Sequence, residues 1–281
     1  MAIESKICLI TGATSGIGKE TALELARQGM KIIFNTRDEK RGIIVRDEII
    51  QKSKNPDINM YLCDLASFQS IREFAEMVKK DNKKLDILIN NAGIWVKRKK
   101  TTVDGIEYTF AVNHLAPFLL TNLLLDLIHN SDSGRIINVS SGIHYQGYLD
   151  LSDPEFKNKR FRSIKAYTQS KLANILFTRE LAARLNGSNI TVNSLAPGWV
   201  NTGLFRDSNS FVKLPARLWA LTPAEGAKTT IYLATSEQVQ KITGEYFYMK
   251  KVKKSAKKSY DRELMKKLWE LSEDYLKNYL T

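Results

Sequence analysis

The chain has 281 residues but only two cysteines, Cys8 and Cys63, and three histidines. Two cysteines set in apolar, strand-like runs make no disulfide framework; they point to buried thiols in a reducing, cytoplasmic compartment. So few histidines, with no cysteine at ligand spacing, argue against a zinc site, so no metal is expected. No apolar run approaches the roughly 20 residues that cross a bilayer. The N-terminus carries no charged lead and no small-residue cleavage site before the apolar run at Ile7, so the expectation is a soluble chain. Linkers rich in proline, glycine and serine are missing, and so are internal repeats. One domain over residues 1–281 is therefore expected.

Positive charge is not scarce. The formal net charge is +13, with clusters at Lys97-Arg98-Lys99-Lys100 and from Lys250 to Lys258, which holds six lysines. Neither cluster has stacking aromatics between its charges, and no nucleic-acid recognition module accompanies them, so no nucleic-acid partner is expected. Solvated loops explain them best, and weak contact of the lysine-rich tail with anionic membranes ranks next.

Short apolar runs alternate with helical patterns. Strands are expected at Ile7–Thr11, Lys31–Asn35, Asn59–Cys63, Leu85–Asn90, Arg135–Ser140, Ile190–Leu195 and Glu245–Met249. Helices are expected near Gly18–Gln28, Lys40–Lys54, Phe68–Lys80, Gly105–His129, Ser163–Leu185 and Pro223–Thr235. The strand runs are too apolar to alternate, as befits strands buried on both faces. The fold class is α/β, a Rossmann-type doubly wound parallel sheet in a single domain. Residues 1–140 would mainly bind a cofactor; residues 141–281 would carry the catalytic and substrate part and a C-terminal helix. Two segments break the rhythm, Gly142–Arg162 and Thr202–Leu221, and both read as loops covering a ligand edge.

The first strand runs into Thr11-Gly12-Ala13-Thr14-Ser15-Gly16-Ile17-Gly18 and then a helix. Glycines allow a tight turn and close approach to a pyrophosphate, and the helix N-terminus offers unpaired N–H groups. In this strand–turn–helix context the loop reads as a dinucleotide site formed by Gly12, Thr14, Ser15, Gly16, Ile17 and Gly18. The second strand ends in Thr36-Arg37-Asp38. A carboxylate at this strand end would bond the ribose hydroxyl of NAD, whereas a guanidinium suits the 2′-phosphate of NADP. Arg37 favours NADP (NADPH) over NAD, with Asp38 read as the cap of the next helix and Lys40 and Arg41 as added positive potential.

Tyr167 and Lys171 lie four residues apart, on one face of a helix and one turn from each other. A phenol holds its proton at neutral pH, and a neighbouring ammonium favours its ionised form, so the pair reads as an acid–base device.

The TGxxxGxG spacing at Thr11–Gly18 resembles the short-chain dehydrogenase/reductase family. Asp64-Leu65, Asn90-Asn91-Ala92-Gly93, Asn113, Ser140-Ser141, Tyr167 with Lys171, and Pro197-Gly198 with Thr202 follow in that family's order. Val112-Asn113-His114-Leu115-Ala116-Pro117, Ser170-Lys171-Leu172-Ala173-Asn174 and the tail Lys267-Leu268-Trp269-Glu270-Leu271-Ser272-Glu273 are similar to its retinol dehydrogenase-like branch. The resemblance implies cofactor contacts at Asp64, Leu65, Asn91, Ala92, Gly93, Pro197, Gly198, Val200 and Thr202, and at Tyr167 and Lys171. It implies catalytic roles for Tyr167 as proton donor or acceptor, Ser141 on the substrate oxygen, Lys171 lowering the tyrosine pKa and holding the nicotinamide ribose, and Asn113 holding a water that relays protons to Lys171. Ser140 is read as a strand-end residue bonded to backbone, and His144 as a loop residue rather than a second base.

A substrate wall is expected from Ile143, Tyr145, Tyr148, Phe205, Phe211, Leu214 and Trp219, which suits a lipophilic aldehyde, ketone or alcohol. The resulting expectation is an NADP(H)-dependent oxidoreductase of such small molecules, and family members often form homo-oligomers. Alternatives are an NAD-preferring alcohol dehydrogenase, a non-catalytic nucleotide sensor and a membrane-surface binder on the same fold.

Overall fold

The structure is a computed structural model that describes residues 6–200 and 220–280. Its strands are β1 (Ile7–Ile10), β2 (Lys31–Thr36), β3 (Ile58–Leu62), β4 (Ile87–Asn90), β5 (Gly134–Val139), β6 (Ile190–Ala196), β7 (Tyr246–Tyr248) and β8 (Lys251–Val252). They form one sheet in the order β3-β2-β1-β4-β5-β6-β7-β8, parallel throughout except for the β7–β8 pair. The order reverses beside β1, so the carboxyl ends of β1 and β4 part there and leave a crevice, the place where doubly wound sheets bind ligands.

Both sheet faces are covered, which explains the unbroken apolar runs. Leu9, Ile33, Leu88, Ile136 and Val192 enter one core with residues of α3 (Phe68–Asp81) and α7 (Ser163–Arg184). Their neighbours Cys8, Ile10, Ile32, Phe34, Ile87 and Ile89 enter another with α1 (Gly16–Arg27) and α2 (Glu39–Ser53). The side-chain period of two sends consecutive residues to opposite faces, and here each face is apolar.

The expected strands and most helices are present, with ends shifted by a residue or two. The continuous helix expected over Gly105–His129 is not. The chain there runs through α4 (Tyr108–Phe110), a π-helical turn (Ala111–Leu115), α5 (Ala116–Leu123) and α6 (Leu125–His129). The cause is Pro117, which has no N–H to give to the Asn113 carbonyl four residues back. The ladder slips, and Ala116 N–H bonds Ala111 O instead. Such π turns recur at functional sites, and this one carries Asn113.

β8 was not foreseen. Met249 and Lys250 both adopt left-handed φ, 49° and 63°, which closes a tight hairpin and makes Lys251-Val252 an edge strand. Lysines on a sheet edge block pairing with another chain, a role that needs no partner. After α8 (Pro223–Thr235), the last helix, α9 (Arg262–Leu276), is capped by Asp261, whose Oδ1 accepts from Leu264 N at 3.1 Å. Among the described residues no helix is long and apolar enough to cross a membrane.

Candidate active site

The glycine loop leaves β1 with Gly12 at φ +70°. Space as well as conformation demands glycine. A Cβ on Gly12 would lie 2.9 Å from Ala92 Cα, and one on Gly18 only 2.4 Å from Gly12 O and 2.5 Å from Asn91 Nδ2. Asn91 fastens the two strand ends: its Nδ2 donates to Thr11 O at 2.8 Å, and its backbone N–H donates to Thr11 Oγ1 at 3.0 Å. Asn35, which the sequence reading passed over, supports the loop from β2: Gly12 N–H donates to its Oδ1, and its Nδ2 donates to Cys63 O. Ser15 caps α1 without a side-chain bond, so the first N–H groups of that helix face the cleft. This cradle fits a pyrophosphate.

The cleft has a volume of about 1750 Å³. Gly12, Thr14, Ser15, Gly16, Ile17, Gly18, Arg37, Asp64, Leu65, Asn91, Ala92, Gly93, Ser141, Tyr167, Lys171, Pro197, Gly198 and Val200 all line it. Thr202 lies outside the described residues, as do Phe205, Phe211, Leu214, Leu218 and Trp219. Asp38 caps α2, as expected, its Oδ1 accepting from Arg41 N at 3.1 Å. Arg37, Asp38 and Arg41 all line the cleft at the end of β2, with Arg41 also donating to Thr14 O.

At the other end, α7 presents Tyr167 and Lys171 on one face, 6 % and 3 % exposed. Lys171 Nζ lies 5.7 Å from the Tyr167 ring centre and donates to Val139 O at 3.1 Å. Burial pushes the lysine down to about 8 and the tyrosine up to about 12, with a Ser141 hydrogen bond pulling the tyrosine back somewhat. Burial disfavours the charged form of each group, the phenolate of the tyrosine and the ammonium of the lysine. The tyrosine keeps its proton across the neutral range, ready to donate it.

Ser141 begins a 3₁₀ turn (Gly142–Gln146) and is within hydrogen-bond reach of Tyr167. Ser140 is turned away, donating to Lys171 O at 2.7 Å, as expected of a strand-end residue. His144 is fully buried, which a loop residue need not be. Its Nδ1 donates to Ser141 O at 2.7 Å and its Nε2 accepts from Ala256 N at 3.1 Å, so the ring ties the Ser141 turn to the segment after β8.

Asn113 is wholly buried, and its carboxamide is spent on protein groups. Oδ1 accepts from Ile94 N at 2.8 Å; Nδ2 donates to Ile94 O at 2.9 Å and to Ser170 Oγ at 3.0 Å. Its side chain therefore holds the stretch after β4. Gly93 leaves the room this needs, since a Cβ there would come within 3.0 Å of Lys171 Nζ. Next along, Trp95 lies 5.9 Å from the Tyr167 ring and donates to Ser163 Oγ. Sequence reasoning missed Trp95, which stands two residues after Asn-Asn-Ala-Gly.

The apolar end of the cleft is lined by Trp95, Val96, Ile143, Tyr145, Ile164, Trp199, Tyr246 and Tyr248. Of the wall expected in the 142–162 segment, Ile143 and Tyr145 belong to it. Tyr148 does not: it is 65 % exposed, with Lys258 Nζ 3.8 Å from its ring centre. Nor is this segment a loose cover. The Asp153 carboxylate accepts backbone N–H from Lys157, Asn158 and Lys159, and Leu149, Glu155 and Phe156 are buried.

The profile of the family described as short chain dehydrogenase matches residues 6–213. Human retinol dehydrogenase 13 is 42 % identical over 275 residues, covering 95 % of this chain and 83 % of that protein. The crystal structure of an uncharacterised protein from Mycobacterium paratuberculosis superposes with a TM-score of 0.81 at 32 % identity, covering 98 % of this chain and 95 % of the other. A Pseudomonas aeruginosa RhlG/NADP active-site complex gives a TM-score of 0.71 at 25 % identity, over 88 % and 96 % of the two chains. With the matched region running from the glycine cradle through Tyr167 and Lys171, the chain belongs to the short-chain dehydrogenase/reductase family, in its retinol dehydrogenase-like branch, and is an oxidoreductase of CH–OH groups that uses a nicotinamide dinucleotide.

Proposed function

We propose that the enzyme uses NADP(H) to interconvert a lipophilic aldehyde or ketone and its alcohol. The observation that carries the cofactor choice is at the end of β2, where Asp38 is engaged as a helix cap while Arg37 and Arg41 face the cleft. A dianionic 2′-phosphate would meet two guanidinium groups there, beside a carboxylate whose Oδ1 is engaged in capping α2. The run of aromatic and aliphatic side chains beside Tyr167 supports the lipophilic substrate.

When bound, the nicotinamide supplies or takes up the hydride. The glycine cradle and the α1 N-terminus would hold the pyrophosphate, and Lys171 would bond the nicotinamide ribose. Tyr167 Oη gives its proton to the carbonyl oxygen during reduction and recovers it from the alcohol during oxidation. Ser141 Oγ donates to the same oxygen and stabilises the charge that develops there. Asn113 keeps the Ile94–Trp95 stretch against this pair.

Two measurements test the reading. Arg37→Ala is expected to weaken NADPH by about 1.5–3 kcal/mol, the scale of a hydrogen bond to a charged group, and to leave NADH almost untouched. Calorimetric titration with both cofactors decides it, and equal losses would remove the phosphate contact. For the substrate, kcat/KM across straight-chain aldehydes, with retinal included, is expected to climb with length. Each buried methylene contributes about 0.8 kcal/mol, so each adds up to about fourfold until the cleft is full. A flat series would remove the lipophilic substrate and leave the reaction type standing.

A further inference from the structure

The π turn that carries Asn113 is a poor helix by itself, since π hydrogen bonding is rarely sustained in proteins. Something beyond the local sequence must hold its register, and the C-terminal helix α9 reaches it by two buried routes. The first is direct. Ser272 Oγ donates to Leu268 O at 2.7 Å, so its oxygen accepts from His114 Nε2, 2.9 Å away and 158 positions earlier in the chain. His114 is fully buried, and burial pushes it down to about 3, so the ring is neutral and the link does not titrate in the neutral range.

The second route enters ahead of the turn. Tyr275 Oη donates to Glu155 Oε1 at 2.8 Å, and Glu155 Oε2 accepts from Glu107 N at 2.9 Å. The Glu107 carboxylate in turn accepts from Thr109 N and Phe110 N at 2.9 and 2.8 Å, capping the short α4 that leads into the π turn. The Tyr275 ring also packs edge-on against Phe110, at 5.8 Å between centres. The turn is thus gripped from α9 at both ends.

We infer that α9 is a positioning element of the active site. Ser272 with His114, and Tyr275 with Glu155 and Glu107, set the π turn so that Asn113 pins Ile94 and keeps Trp95 beside Tyr167. The inference rests on the proposed part of Asn113 in holding that stretch. None of the α9 residues touches substrate or cofactor; each acts through Asn113.

The test compares the full-length enzyme with Ser272→Ala/Tyr275→Phe, in both the wild-type and Asn113→Ala backgrounds. In the wild-type background kcat is expected to fall about tenfold, within the penalty of up to a hundredfold for misplacing an active site by an ångström. Cofactor Kd is expected to stay within about twofold, because the glycine cradle lies on other elements. In the Asn113→Ala background the same pair of substitutions is expected to cost nothing further. Ser272→Thr, which keeps the hydroxyl, is expected to retain activity.

A second readout needs no turnover: in the free protein, hydrogen exchange at the Ile94 amide should quicken severalfold in the double variant. Should the double variant not fold, Tyr275→Phe alone, read by the same exchange experiment, carries the test. Equal loss of kcat in the two backgrounds, or unchanged Ile94 exchange, would show that α9 only stabilises the fold and overturn the inference. An Asn113→Ala enzyme of normal kcat would instead overturn the role of Asn113, and the inference with it.

Discussion

Tyr167→Phe is expected to lower kcat by roughly 10²-fold or more, the scale of a lost general acid–base group, while NADPH binds almost as before. The ring fills a site that is nearly closed to solvent, packed near Trp95 and under Lys171, and phenylalanine keeps that packing. What disappears is the hydroxyl that faces Ser141 and the cleft. Lys171 Nζ is engaged with Val139 O at 3.1 Å. Single-turnover kinetics with saturating cofactor, beside a cofactor titration, separates the chemical step from binding. A folded Tyr167→Phe protein with near-normal turnover would remove the proton-transfer assignment.

Gly18→Ala is the other large effect, and it falls on the opposite term. The added methyl would sit 2.4 Å from Gly12 O and 2.5 Å from Asn91 Nδ2, against backbone and a fastened amide rather than the far end of a flexible chain. To make room, the loop must shift relative to Asn91, and the cradle that receives the pyrophosphate shifts with it. Overpacking of this kind costs about 1–3 kcal/mol of stability. Cofactor affinity is expected to fall by about a hundredfold, since displaced backbone donors lose several charge-assisted hydrogen bonds at once. Thermal unfolding with and without NADPH reads both: the Tm of the free protein drops modestly, and the rise in Tm on adding cofactor disappears. A normal cofactor-dependent rise would mean that the loop accommodates a Cβ and that glycine is not required there.

Much of the site was legible because its signals are local. A glycine loop between a strand and a helix, or a tyrosine and lysine one turn apart, needs only short-range periodicity to be placed. The same holds for Asp38, which reads as a cap and is one, and for Ser140, whose place at the end of β5 turns it onto backbone. Asn113 was found by resemblance, but its work was not. Beside the role expected for it, its carboxamide is taken up by Ile94 and Ser170, which no local pattern announces. Trp95 and Asn35 carried no signal of their own, because a lone aromatic after a turn or an amide at a strand end looks the same whether it faces solvent or a ligand cleft.

The sequence by itself determined the alternation of strand and helix, the dinucleotide cradle and the acid–base pair. These follow from spacing along the chain, and spacing survives in one dimension. Tertiary structure alone decided three other things. Pro117 broke the long helix into a π turn, and α9 reaches that turn through the His114–Ser272 hydrogen bond, 158 positions apart in the chain. His144, in the turn after β5, became a link from Ser141 to Ala256, the latter 112 positions beyond it. Burial raised the tyrosine pKa and lowered that of the lysine, because each loses the water around its charged form. Each depends on which distant surfaces exclude water from a given side chain, and desolvation is a property of the packed chain that no local pattern encodes.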